Sequence, residues 1–285
     1  MWTCPICKTT NETNKCRSCG FDKSKDYTNH RSLCQLSKSG SKIFKPAQLG
    51  DNILMASSDT DYVFGRKIDR KQITAIYFQN KKENIGEDAW EVSEKQNGSI
   101  MAWTEKKQDG LLDLYIAANG NITANRDCSF LFSDYIAVKN IWGLDFLKTN
   151  QTENMKGMFE NCYKLYDLDV SHFDTGHVTT MENMFFCCAN LKSLDVSHFD
   201  TSRVTTMERM FSYCVSLKSL DVSHFDTKQV ISTSGMFSNC AKLKILDVSN
   251  FDTTRVKDFF VPPGVRLKTK KENGFFNKLW EKLSN

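Results

Sequence analysis

The chain has 285 residues, a formal charge of +4 and eleven cysteines. With 40% apolar and 25% charged residues, global disorder is excluded and a soluble core is affordable. No window approaches about 18 uninterrupted apolar residues, so no membrane span is expected. A charge of +4 over this length is too small to name nucleic acid as the main partner. An odd cysteine count cannot pair fully within one chain, so placement must say what the thiols do.

The first 25 residues carry a metal signature. Cys4-Pro5-Ile6-Cys7 and Cys16-Arg17-Ser18-Cys19-Gly20 form C-x2-C-x8-C-x2-C. Two such knuckles place four thiolates around one tetrahedral Zn²⁺, with Zn–S near about 2.3 Å. Cys4, Cys7, Cys16 and Cys19 are thus the expected ligands of one structural zinc. A segment this short has no apolar core, so the metal would supply its folding free energy. A disulfide pair or a redox C-x-x-C is the competing reading, and the matched knuckles favour zinc. The N-terminus has no basic or apolar stretch of the secretory kind, so a cytoplasmic protein is expected. Residues 26–59 read as a polar linker that contains Cys34.

Residues 60–154 read as a β-rich lead-in. Ile73–Phe78 is one strand candidate. Gly98–Glu105 and Leu111–Ala118 are two more, joined by Lys106–Gly110 with Asp-Gly at its end, a hairpin signal. Phe132–Asn154 looks like a degenerate copy of the repeats that follow. Phe132, Val138, Ile141 and Phe146 sit at the repeat offsets, with one residue inserted before Met155.

Residues 155–258 repeat with a period of 26, four times, without a gap. The rows are Phe159/185/211/237, Cys162/188/214/240, Leu165/191/217/243, Leu168/194/220/246, Val170/196/222/248 and Phe173/199/225/251. Leu194 and Val196 alternate with Ser193, Asp195 and Ser197, as in a short half-buried strand. Met207, Met210 and Phe211 suit one helical or 3-10 turn. Thr205 with Glu208, and Thr179 with Glu182, fit a capping box at its start. One unit cannot bury its apolar face alone, but stacked units can. The expected fold is an α/β leucine-rich-repeat solenoid with parallel strands and short helical or 3-10 turns, preceded by the zinc ribbon. Residues 259–285 are expected to close it, with Phe275, Phe276, Leu279, Trp280 and Leu283 on one face of an amphipathic helix.

The unit M-x-x-M-F-x-x-C-x-x-L-x-x-L-D-V-S-x-F-D-T-x-x-V resembles the BspA-like family of bacterial leucine-rich-repeat proteins. The match is close over Met155–Asp258 and looser from Trp90 to Asn154. The N-terminal knuckles resemble small bacterial zinc ribbons. The repeat family implies a binding or adhesion scaffold without catalytic residues, often displayed on the cell surface. A thiolate zinc site instead suits the reducing cytosol.

Several residue sets invite chemistry. Ser197, His198 and Asp200 have the types of a hydrolase triad, but the set recurs in three units, as structural repetition does. His172, His198 and His224, with Asn250 in the fourth slot, form a row able to bind a metal or sense pH, or a polar turn position copied by duplication. Asp169, Asp195, Asp221 and Asp247 form a ladder that needs backbone donors, hydroxyls or cations. Asp174, Asp200, Asp226 and Asp252 precede Thr and fit turn caps. The repeat cysteines fit an all-thiol core row, although their spacing also admits disulfides. Cys34, Cys128 and Cys187 are left as free thiols.

Charge separates along the chain. Residues 1–50 hold nine Lys/Arg against three Asp/Glu, and residues 261–285 hold six against two. The leading expectation is a non-enzymatic protein-binding or adhesion-type scaffold. Its contact surface is the strand face bearing Tyr166, Asp167, Asp169, Ser193, Asp195, Ser219, Asp221 and Asp247. A polar protein or a glycan is the expected partner. The alternative is a cytoplasmic regulator whose basic zinc ribbon contacts nucleic acid while the repeats recruit protein.

Overall fold

A computed structural model describes residues 2–3, 10–11, 52–56, 68–252, 259 and 261–269. Strands β1 (Trp2–Thr3) and β2 (Thr10–Asn11) pair antiparallel. The four zinc-ribbon cysteines, Cys34 and the C-terminal helix lie outside the described residues.

The regular structure gathers in one mixed sheet. It contains β3 (Ile73–Gln79), β4 (Trp90–Glu91), β5 (Ile100–Lys106), β6 (Leu112–Ala118) and β8 (Asn140–Trp142), in the order β4-β5-β6-β3-β8. The hairpin expected from the sequence is β5 and β6, in register from Ile100↔Ala118 to Lys106↔Leu112. Its turn uses Gly110 at φ +83°, which a side chain would resist. β3 pairs parallel with β6 and with β8. Strands β7 (Ile122–Thr123) and β9 (Leu147–Lys148) form a small parallel pair beside it. One sheet face buries Ile76, Phe78, Ala102, Leu114 and Ile116.

The expected α/β leucine-rich-repeat solenoid is not what forms. Among the described residues there is no α-helix, and the two 3-10 helices, Arg70–Gln72 and Leu144–Phe146, lie outside the repeats. From 149 to 244 there is no strand, and no sheet closes around the repeats. Among the described residues the only strand of the repeats is β10 (Ile245–Asp247), paired with β11 (Arg266–Lys268) beyond them. The units are instead layers built from turns and single bridges, such as Asn154↔Thr180, Thr180↔Thr206 and Thr206↔Ser232.

The reason is a left-handed residue at two fixed places in each layer. The first place holds Gly157, Asn183, Arg209 and Gly235, with φ of 59°, 57°, 51° and 63°. The second holds Asn161, Cys187, Tyr213 and Asn239, with φ of 61°, 58°, 62° and 61°. These residues break what would otherwise be a helical turn. Some amides stay within the layer, as Glu160 N to Gly157 O at 2.9 Å. Alternate amides turn outward to the next layer: Gly157 N to Glu182 O at 2.8 Å, Phe159 N to Met184 O at 2.9 Å, Asn161 N to Phe186 O at 2.8 Å. A left-handed non-glycine residue costs about 1–2 kcal/mol. Each inter-layer bond contributes about 1 kcal/mol. Each buried Met or Phe contributes about 1.5–3 kcal/mol, so burial decides the sum. The capping-box expectation also fails: Thr205 Oγ1 donates across layers to Thr179 O, and Glu208 N meets Thr206 instead.

The Phe rings of successive units stack at 5.6 Å from Phe159 through Phe185 and Phe211 to Phe237. Apart from β10, the strands expected on the other side do not form. At the opposite side of the layer the ladder shrinks to isolated bonds, such as Lys218 N to Lys192 O at 3.3 Å.

The degenerate unit is a layer of the same kind. Phe132 stacks on Phe159 at 5.3 Å, and Tyr135 fills the place of the repeat cysteine. Arg70 closes this end, its Nη1 donating to Ser133 O at 2.8 Å and its guanidinium 5.2 Å from the centre of the Tyr135 ring. Phe78 meets Phe132 edge-on at 5.9 Å, so sheet and layers share one core.

Candidate functional site

The side of the layers that bears the sequence-derived contact residues is banded. One band is the aspartate row. Asp169, Asp195 and Asp221 are exposed. Each Oδ1 accepts the amide of the serine two residues on, at 2.9 Å in all three. Those serine hydrogen bonds, side-chain and then backbone, hold the three carboxyls below their ordinary range. Backbone and hydroxyl donors therefore answer the repulsion that stacking carboxylates creates. Asp247 differs. Burial alone would raise its carboxyl, but the Lys268 and Ser249 hydrogen bonds hold it low. Its Oδ2 accepts Lys268 Nζ at 2.7 Å, so β11 occupies this end of the row. A second band, Asp167, Ser193 and Ser219, is exposed, as is Tyr166.

A third band was missed in the sequence. Lys192, Lys218 and Lys244 occupy the Tyr166 position of successive units, and all are exposed. Non-repeat segments extend the line. Tyr166 N donates to Lys139 O at 3.2 Å, and Arg266 N donates to Lys244 O at 2.8 Å. Among the described residues, Lys139, Lys192, Lys218, Lys244 and Arg266 make no ion pair. The signal was available, because the three lysines recur at the period; the extensions at Lys139 and Arg266 depend on pairing that sequence does not show.

The line of cations begins at a cleft on the outer face of the sheet. Four aromatic residues lie in cross-strand register: Trp103 on β5, Tyr115 on β6, Tyr77 on β3 and Trp142 on β8. Trp103 and Tyr115 stack at 5.4 Å, and Tyr115 and Tyr77 at 4.9 Å. Trp142 does not stack on Tyr77 and stays 50% exposed. Between them opens a cleft of about 310 Å³, which Asn140, Lys139, Lys164 and Asp113 also line. Asp113 is already engaged, accepting Thr74 Oγ1 at 2.7 Å.

The other candidates stay apart. His198 Nε2 lies 2.8 Å from Val170 O, and Asp200 accepts Ser202 N, so no hydrogen bond links Ser197, His198 and Asp200. His224 presses edge-on against Phe225 at 4.9 Å, and Asn250 Nδ2 donates to Ser223 O. The Asp-Thr pairs act as turn caps: Asp174 and Asp226 accept the amides of Gly176 and Lys228. Each repeat cysteine is a free thiol whose Sγ donates to a phenylalanine carbonyl one layer back, at 3.0–3.2 Å. Among the described residues no group of three His, Cys, Asp or Glu is placed to hold a metal, and no helix is long and apolar enough to cross a membrane.

Residues 126–244 match a family model described as "Mycoplasma protein of unknown function, DUF285". That stretch holds the degenerate layer and most of the repeats that resemble BspA-like proteins. No curated protein and no solved structure matches the chain.

Proposed function

We propose that the protein is a non-enzymatic binding scaffold, with the banded side of its layers as the contact surface for a polar protein or glycan. One observation carries this reading. Lysine, serine and aspartate recur in register on one exposed side, at Lys192, Ser193 and Asp195 and again at Lys218, Ser219 and Asp221. A polar surface of this kind suits a hydrogen-bonding partner rather than a greasy one. At the N-terminus, one structural Zn²⁺ held by Cys4, Cys7, Cys16 and Cys19 fits the C-x2-C spacing. One equivalent of zinc by metal analysis of the full chain is the expected content, and its absence would remove the ribbon.

The contact side is tested by affinity capture with the full chain. Asp195→Lys with Asp221→Lys should lose the specific partner. Asp195→Asn with Asp221→Asn keeps an acceptor for the serine amides and controls for the turn. Unchanged capture by the lysine variant would move the contact surface elsewhere.

A further inference from the structure

We propose that the banded side is a track for an acidic polysaccharide of the uronic-acid kind, entered at the Tyr77–Trp142 cleft and followed by the line of lysines. This inference rests on the reading of that side as the contact surface and names its ligand class.

The first argument is the cation line itself. Lys192, Lys218 and Lys244 lie one layer apart, with Tyr166 between Lys192 and Lys139, and layers are 5.6 Å apart at the ring stack. That is inside the Debye length of about 8 Å at physiological salt, so their charges repel. Among the described residues none of them makes an ion pair, and the neighbouring Asp195 and Asp221 are bonded to their own serine amides. Unit duplication accounts for Lys192, Lys218 and Lys244 but not for Lys139 and Arg266, which continue the line outside the four copies, in register through backbone hydrogen bonds. A linear polyanion would turn this repulsion into attraction.

The second argument separates sugars from nucleic acid. Two layers set a hydroxyl and an exposed carboxylate beside the lysine, Lys192-Ser193-Asp195 and Lys218-Ser219-Asp221. Lysine and aspartate are three positions apart, at most about 10 Å of chain. A carboxylate acceptor is useful only to a ligand that brings its own donors. An acidic sugar brings hydroxyls with its carboxylate. A DNA phosphodiester backbone brings acceptors and negative charge alone, so it offers the aspartate band no donor.

The third argument is the cleft. Along the aromatic row each inner pair is closed by stacking, but Tyr77 and Trp142 are not. The cleft mixes the Tyr77 and Trp142 rings with polar Asn140, Lys164, Lys107 and Asp109, which suits a ring that is apolar on its face and polar at its edge. Lys139 belongs to both the cleft and the cation line, so one chain can occupy both.

The test titrates the full chain with polygalacturonate oligomers, read by calorimetry and by tryptophan fluorescence. Fully methyl-esterified oligomers of the same length and single-stranded poly(dT) are the comparison ligands. The expected result is saturable binding of the acid form that weakens with salt. It should be at least tenfold weaker for the ester, for poly(dT) and for Lys192→Glu with Lys218→Glu. Trp142→Ala should lower the affinity and remove most of the fluorescence change, with the circular dichroism unchanged. No binding of the polyuronate, equal or tighter binding of poly(dT), or binding indifferent to the charge reversal would overturn the proposal. If the polyuronate fails while Asp195→Lys with Asp221→Lys still loses the captured partner, the ligand class falls and the scaffold reading stands.

Discussion

In the sheet, β5 and β6 bond along their whole length, from Ile100↔Ala118 to Lys106↔Leu112. In the layers, inter-layer backbone bonds come at every second residue only from Met155 to Asn161 and in the copies of that stretch, and side chains supply much of the remainder. Thr201 Oγ1 donates to Asp226 O at 3.0 Å and accepts Asp226 N at 2.8 Å. Cys214 Sγ donates to Phe185 O at 3.2 Å. A strand residue can therefore change without disturbing the framework that holds it. A layer residue often is the framework. The two regions should answer the same perturbation differently.

Alkali should produce the largest difference. The sheet strands contain no cysteine, whereas the layers bury five. Burial pushes Cys128, Cys162 and Cys240 up to about 12, and Cys188 and Cys214 well above the ordinary thiol value. The unfolded chain loses these protons near 9.0, while the folded protein keeps them. Stability is thus full below pH 9 and falls as pH rises from 9 towards 12. Each thiol contributes about 1.4 kcal/mol per pH unit to that fall. Urea midpoints at pH 8 and pH 10 measure it, and Cys188→Ala with Cys214→Ala should flatten the slope. A midpoint indifferent to pH would mean the thiols are not buried as described.

A methyl-for-hydroxyl exchange should come next. Thr201 is 2% exposed, and Thr201→Val leaves the Asp226 amide and carbonyl short of a partner. The expected cost is about 2–3 kcal/mol. Thr104→Val on β5 should change stability by no more than about 0.5 kcal/mol, because its ladder uses backbone alone. Equal effects at the two sites would erase the distinction between the regions.

The smallest effect should carry opposite signs. Arg209 has φ 51° and is exposed. Arg209→Gly should gain about 0.5 kcal/mol by relieving a left-handed side chain. Ala75→Gly on β3 should instead lose about 0.5–1 kcal/mol, because glycine weakens a strand interior. Thermal midpoints of the two variants decide it, and two losses would show that the left-handed conformation carries no strain.

Much of the sheet was legible in the sequence. Ile73–Phe78, Gly98–Glu105 and Leu111–Ala118 alternate as strands, and Asp109-Gly110 marks the turn between the last two. The layers were legible as a period but not as a conformation. Met155, Met158, Phe159 and Cys162 fall at helical spacing, and that spacing holds in the structure, where overlapping turns rather than a helix produce it. The left-handed places announce themselves at Gly157, Asn161, Asn183, Gly235 and Asn239. Arg209, Tyr213 and Cys187 hide them, because nothing in those side chains favours positive φ. Of the contact side, the aspartate and serine bands followed from the period, and so should the lysines have done. The Tyr77–Trp142 pair was out of reach. Strands β3 and β8 are far apart in the chain, and only their pairing brings these rings to one cleft.

The outward amides have a consequence for size. Gly157 donates to Glu182, Asn183 to Glu208 and Arg209 to Ser234, the same atoms in each copy. Removing or adding one whole copy leaves each of these donors with an equivalent acceptor, and Arg70 still seals the first layer. Copy number can therefore change by genetic slippage without a folding penalty at the junction. The molecule is built like a ruler, whose length, and with it the reach of its banded side, is set in steps of one layer.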